Sequence, residues 1–294
     1  MQVGIIINPI AGTNTHRTVD ARVKLARTVL SNKGIEGQVI VTDGPGHARS
    51  IARELVEQSV ETVVAWGGDG TFNEVASQVA FSGTAIGLVP AGSGNGFARE
   101  LLVDWEPSLA LEIALCGDIQ WIDIGEFGGR LFFNVAGVGF DAHMATMFNA
   151  KNGCGSFQYF MTTLRELAIY KPKCYTLKSD QTIMTKRALV IAVANTRQYG
   201  NRAIIAPMAR PDDGLLELVV LPALSPLSRF WHAPRLFTGS VHRLPDAWIR
   251  SLRTLEISAD CPLSFHVDGE CFIGPRHLSV KVHPRALPIR TLKR

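Results

Sequence analysis

Residues 2–90 alternate short apolar runs with stretches of helical period, and few folds accommodate that alternation. The segments "QVGIIIN" (2–8), "GQVIVT" (37–42), "ETVVAW" (61–66) and "TAIGLVP" (84–90) read as strands. Between the first two, Val19, Val23, Ala26 and Leu30 recur along one helical face, and Ala48, Ile51, Ala52 and Leu55 do so before the third. Thr71 to Ala80 reads as a further helix. Strands separated by helices predict an α/β domain with a mostly parallel sheet covered on both faces, so that loops leaving the strands gather at one carboxyl edge.

After a helix over 107–115 the pattern changes to closely spaced strands. "QWIDIGEF", a "GGR" turn and "LFFNVAGVGF" (131–140) predict a hairpin, while "ALVIAVANT" (188–196) and "LLELVVL" (215–221) predict further strands. "SFQYFMTTLRELAIY" (156–170) has a helical period, and "SPLSRFWHAPRLFTGSV" reads as a helical region broken at Pro234. The second half is therefore β-rich, with the boundary at residues 120–130.

Composition narrows the class of protein. With 294 residues, 46% hydrophobic and 19% charged, the chain supports two domains of moderate size. Five widely spaced cysteines without a CxxC pair argue against a disulfide framework or a zinc site and suit a reducing cytoplasm. The start "MQVGIIINPIAG" reads as a first strand rather than a leader, and no apolar run reaches the roughly 20 residues of a membrane span. A net charge of +4 would help the protein visit an anionic membrane face, but no dense basic block interleaved with aromatics points to nucleic acid.

The chemistry begins at "GGDGTFNEVA" (67–76), between the third strand and the next helix. Gly67, Gly68 and Gly70 let the backbone approach a phosphate closely, and Thr71 with Glu74 has the form of a capping box. A glycine turn before a capped helix accounts for most of these residues. It leaves Asp69, whose charge beside an anion site points to Mg²⁺ chemistry or proton acceptance, although Asp-Gly is also ordinary turn chemistry. A second loop, "GLVPAGSGNGFAREL" (87–101), offers Ser93 and Asn95 as donors. Two such loops at the ends of successive strands argue for a nucleotide phosphate site, with the spacing of neither a P-loop nor a Rossmann fingerprint.

Together with "NPIAG" (8–12), these loops resemble the diacylglycerol kinase catalytic domain family, which takes in bacterial lipid kinases and the sphingosine and ceramide kinases. NAD kinases and phosphofructokinases share only the GGDG element. "ARPDDGLLELVVL" (209–221) and "FHVDGECF" (265–272) follow in the family's order, so the likeness covers nearly the whole chain. It implies a nucleotide-binding α/β domain at 1–124, to which 284–294 returns, and a sandwich-like lipid-substrate domain at 125–283. It places Asn8, Thr42, Gly67, Gly68, Asp69, Gly70, Thr71, Phe72, Asn73 and Ser93 around ATP. It places a metal, with a structural role left open, on the Asp213 side chain and the backbone oxygens of Arg210 and Leu215 as candidate ligands, a set that suits Mg²⁺, where local chemistry alone reads a turn.

The resemblance also makes Glu270 a candidate proton acceptor, whereas sphingosine kinases direct attention to Asp69; the residues do not choose between them. The implied activity is transfer of the ATP γ-phosphoryl to a lipid hydroxyl, diacylglycerol or a related glycerolipid first. Sphingoid bases or ceramide are the alternative acceptors, and a non-catalytic, nucleotide-regulated binding protein is the alternative of another class. The expected partners are ATP and a lipid substrate at a membrane surface, with a homodimer left open. His47 reads as a solvated or backbone-bonded helix residue, and His143 and His266 receive no ligand role. Phe157, Phe160, Met161, Leu164, Leu167 and Ala168 read as a packed helical face. Phe230, Trp231, Leu236 and Phe237 suit either the core or a membrane.

Overall fold

A computed structural model describes residues 2–12, 16–92, 94–149, 156–179, 182–200 and 203–292. In chain order, β1 (Gln2–Ile7), α1 (His16–Lys33), β2 (Glu36–Val41), α2 (His47–Glu57), β3 (Thr62–Gly67), α3 (Asp69–Val79), β4 (Ala85–Pro90), α4 (Gly96–Glu100) and α5 (Pro107–Cys116) come first. They are followed by β5 (Asp118–Phe127), β6 (Arg130–Phe132), β7 (Val135–Gly139), α6 (Phe140–Asn149), α7 (Ser156–Ile169), β8 (Lys173–Ser179) and β9 (Thr182–Ala194). The remainder comprises β10 (Gln198–Gly200), β11 (Ala203–Ile204), β12 (Leu216–Pro222), α8 (Pro226–His232), β13 (Trp248–Leu252), β14 (Thr254–Ser258), β15 (Ser264–Val267), β16 (Glu270–Ile273) and β17 (His277–Thr291).

The chain divides into two compact units, Met1–Ile122 with Arg285–Arg294, and Asp123–Pro284. In the first, β2, β1, β3 and β4 run parallel in that order, and the end of β17 adds a parallel neighbour where Ile289 meets Ile86. Every residue of β3 and β4 is buried, which is why these central strands are unbroken apolar runs, while the edge strand β2 keeps its first three residues exposed. On α2 the buried residues are Ala48, Ile51, Ala52 and Leu55, the stripe that the sequence period predicts.

The second unit is antiparallel and β sandwich-like. Its long strand β9 pairs with β8 over its first half and with β7 and β12 over its second. Alternation along the strands fills two clusters: Leu218 and Val220 face one with Phe127, Ile191, Ile257 and Phe265, while Val219 and Leu221 face the other with Val135, Ile205 and Val241.

Two expectations change here. The hairpin predicted through residue 140 is cut short, since β6 pairs with β5 only as far as Phe132, whereas β7 departs to β9 and β15. The chain is redirected at Phe133 and Asn134, whose N–H groups donate to the Asp268 carboxylate at 2.8 and 2.9 Å. Phe140, read as strand, opens α6 instead. Phe157, Phe160, Met161 and Leu164 have side chains outside the described residues, while Leu167 is buried.

Candidate functional site

In the first unit β1 has β2 on one side and β3 on the other, so the strand order switches direction there, where open α/β sheets bind ligands at their carboxyl edge. Asn8, immediately after β1, donates from Nδ2 to Thr71 Oγ1 at 2.7 Å and accepts from the Ile10 N–H at 3.0 Å. The loop after β1 is held by Arg22, a residue that no sequence motif marks, which donates to the Asn8 and Ala11 carbonyls at 3.1 and 2.8 Å. Thr42, just past β2, is buried, and its N–H donates to the Ile7 carbonyl.

The two glycine loops are fastened to each other. A Cβ on Gly92 would lie 2.7 Å from Gly68 Cα, so the two backbones come as close as only glycines allow. Asp69 completes the join: its Oδ2 accepts from the Gly96 N–H at 3.0 Å and its Oδ1 from the Phe97 N–H at 3.2 Å. The carboxylate therefore satisfies the first N–H donors of α4. Phe72, expected beside the nucleotide, stacks on Phe97 with ring centroids 4.4 Å apart and is buried, which leaves it only its backbone to offer a ligand.

Two local expectations are corrected. The helix α3 begins at Asp69 rather than Thr71, and Gly68 at its N-cap makes no side-chain cap hydrogen bond. Thr71 and Glu74 form no capping box, because Thr71 Oγ1 is taken by Asn8 and Glu74 reaches the start of α2, accepting from Gly46 and Arg49 N–H at 3.0 and 3.4 Å. Asn95, buried in a left-handed conformation, closes its own loop by accepting from Gly92 N–H and donating to Gly92 O. Asn73 stands on α3, where its carbonyl accepts from Ser77 Oγ at 2.7 Å. Ser93 lies outside the described residues.

In the second unit the loop with Arg210, Asp213 and Leu215 is gripped by a residue that sequence reasoning missed. The Asp123 N–H donates to Pro211 O, and Asp123 Oδ2 accepts from Gly214 N–H, both at 2.6 Å. Asp123 is fully buried between Ile122 and Ile124, and an acid inside an apolar strand was the available signal. Asp213 is exposed, and its Oδ1 accepts from Leu215 N–H at 3.0 Å. Among the described residues no group of three or more His, Cys, Asp or Glu side chains gathers as a metal site. The loop offers two exposed carboxylates, Asp212, which accepts from Arg210 Nε at 3.3 Å, and Asp213, beside backbone carbonyls, a hard oxygen set that fits Mg²⁺.

The β15–β16 hairpin turns at Asp268 and Gly269, both with positive φ, and Val267 faces Glu270 across it. Asp268 does more than turn the chain, since its carboxylate accepts three N–H groups, from Phe133, Asn134 and Val135. Glu270 is exposed as the first residue of β16. On the same hairpin, buried His266 contacts Asp141 Oδ2 through Nε2 at 3.0 Å, and Tyr199 donates its hydroxyl to that oxygen at 2.8 Å. Burial and then the Asp141 charge hold the Tyr199 phenol well above its ordinary value. A separate cavity of about 180 Å³ includes His143, Thr146, Tyr170 and Tyr175 in its lining. There His143 Nε2 meets Glu166 Oε2 at 2.9 Å, and burial pushes the Tyr170 phenol up to about 12. His47 accepts the Asp43 N–H through Nδ1, in keeping with a backbone-bonded residue.

Residues 2–127 match the diacylglycerol kinase catalytic domain, and residues 134–291 match the YegS C-terminal NAD kinase beta sandwich-like domain. A Pectobacterium atrosepticum protein named "Probable lipid kinase YegS-like" is 34% identical over 268 residues, which cover 89% of this chain and 88% of that one. A Citrobacter koseri protein of the same name is 32% identical over 276 residues, with the same shares covered. Two Bacillus anthracis crystal structures share the fold. One superposes with a TM-score of 0.81 at 20% identity, covering 99% of this chain and 96% of that one. The other, described as a diacylglycerol kinase, gives 0.76 at 18% with the same coverage. Glycine loops at the switch point, a β sandwich-like second unit and relatives matched along nearly their whole length agree: the chain belongs to the diacylglycerol kinase family, among its YegS-like lipid kinases.

Proposed function

We propose that this lipid kinase draws its phosphoryl group from MgATP and delivers it to the hydroxyl of a glycerolipid, diacylglycerol first. The observation that carries the reading is the difference between the two helices at the strand edge. Asp69 occupies the N-terminus of α4, whereas the N-cap of α3 is Gly68, which has no side chain with which to cap it. The α3 N-terminus, flanked by Gly68 and Gly70, is thus the natural seat for an anion. Asn8, Thr42, the 67–73 loop and Ser93 form the nucleotide side, with Phe72 contributing through its backbone. In the second unit, the Arg210 and Leu215 carbonyls with the Asp213 carboxylate would hold a Mg²⁺ ion of their own. When bound, ATP supplies the γ-phosphoryl and Mg²⁺ offsets the charge on its oxygens.

In this reading Glu270 takes the proton of the lipid hydroxyl. It is exposed, and the Asp268 clamp fixes the turn that presents it. Asp69 is a positioning residue whose carboxylate is committed to backbone N–H groups. Purified protein given γ-labelled MgATP and a panel of diacylglycerol, monoacylglycerol, phosphatidylglycerol, sphingoid base, ceramide and NAD tests this. Label in a glycerolipid is expected. Label confined to sphingoid base or ceramide would replace the acceptor, label only in NADP would overturn the lipid reading, and ATP binding without transfer would favour a nucleotide-regulated binding protein.

A further inference from the structure

The segment that sequence alone left divided between core and membrane is sorted by the structure. Phe230 and Leu236 pack against the core cluster around Ile205, Val219 and Val241. Leu227, Trp231 and Phe237 turn outward, 82%, 81% and 64% exposed. Leu227 and Trp231 stand four residues apart on α8, so they share one face, and Phe237 follows the short 3₁₀ turn Ala233–Leu236. Isolated apolar residues on a surface need no explanation, but three large apolar side chains exposed within eleven consecutive residues do.

Charge complementarity names the occupant. From residue 218 to 245 the sequence contains no Asp or Glu, while it contains Arg229, Arg235 and Arg243 and two histidines. Arg229 is buried, donating to the Leu224, Leu167 and Tyr170 carbonyls at 2.8 Å each, which rivets α8 to the end of α7. Arg243 and His242 are exposed beside the element, and Arg235 is half-buried within it. A rigidly held element with outward apolar side chains, within a sequence stretch whose charged residues are all basic, suits the headgroup and acyl boundary of an anionic bilayer, where Trp is favoured.

We propose that α8 and the turn after it dock this protein on anionic lipid bilayers, with Leu227, Trp231 and Phe237 entering the interface. The docking rests on the lipid-kinase reading only for its purpose. The test compares the full chain with a Leu227→Ser, Trp231→Ser, Phe237→Ser variant in sedimentation with vesicles of phosphatidylcholine alone or mixed with phosphatidylserine. The native chain is expected to prefer the mixed vesicles, and the variant to lose about tenfold or more of that partitioning with an unchanged melting temperature. Brominated lipid should quench native fluorescence, and Trp231→Phe should remove most of the quenching. Equal vesicle binding by native and variant chains, or quenching that survives Trp231→Phe, would overturn the proposal. So would a variant that only converts a dimer to a monomer in sedimentation. Phosphorylation of a dispersed short-chain diacylglycerol should persist in the triple variant. Vesicle docking without phosphorylation of any lipid would leave this proposal standing and remove the kinase reading.

Discussion

Asp-Gly occurs at both loops the family likeness makes most prominent, Asp69-Gly70 and Asp268-Gly269, and the two aspartates do similar work in dissimilar backbones. Asp69 sits in the first turn of α3 and caps a helix that begins 27 residues later. Asp268 sits at φ 47 in a hairpin turn and gathers the N–H groups of a segment up to 135 residues earlier. Each carboxylate accepts backbone N–H groups from a distant segment and so organises a neighbouring loop. Glu270, two residues beyond Asp268, stands exposed and is the carboxylate we propose takes the proton. The proposed division of roles thus rests on the partners each acid has, not on its rank in a motif.

The comparison can be broken at either end. Asp268→Ala should have the largest effect, because the N–H groups of Phe133, Asn134 and Val135 lose their acceptor in a buried setting. A loss of about 3 kcal/mol in denaturant unfolding is expected. Asp268→Asn should recover about half, since asparagine tolerates the left-handed backbone and keeps an acceptor oxygen. Glu270→Gln should lower turnover about a hundredfold, equivalent to about 2.7 kcal/mol of barrier, and leave the melting temperature unchanged. Stability loss in Glu270→Gln comparable to that of Asp268→Ala would erase the distinction between reacting and organising carboxylates.

Asp69→Ala should cost less, about 1–2 kcal/mol, as the loss of a helix cap, together with weaker ATP binding in calorimetry. The smallest effect belongs to a carboxylate that binds side chains instead of backbone. Burial alone would raise the Glu126 carboxyl, but hydrogen bonds from His283 and Lys281 outweigh it and hold the group below its ordinary value. A lowered folded value means that its stabilisation is present above the unfolded pKa and is lost as pH falls through the folded one. Glu126→Gln should therefore cost less than about 1 kcal/mol near neutrality, and urea titrations should show the difference from the native chain vanishing in acid below about pH 4.

What the sequence made legible follows the same division. The strands β3 and β4 were readable because burial on both faces demands unbroken apolar runs, and α2 because one face must be apolar. The gathering of Asn8, Thr42 and both glycine loops at one edge followed from parallel topology. Side-chain partners distant in sequence were not readable: Glu74 looked like a cap for its own helix and caps α2, while Asn95 looked like a ligand donor and closes its own loop. Asp123 was hidden by the regularity of its strand, and β7 changed partners because Asp268 takes the N–H groups that would have continued the hairpin.

The central claim, that Asp69 organises the nucleotide loops while Glu270 reacts, is met most directly by measuring ATP affinity and saturated turnover in Asp69→Asn. An amide turns one acceptor into a donor facing an N–H group, so ATP should bind about tenfold more weakly, while turnover at saturating ATP stays within about fivefold of native. Turnover lowered about a hundredfold or more with ATP affinity and melting temperature intact would instead make Asp69 the base and contradict the account.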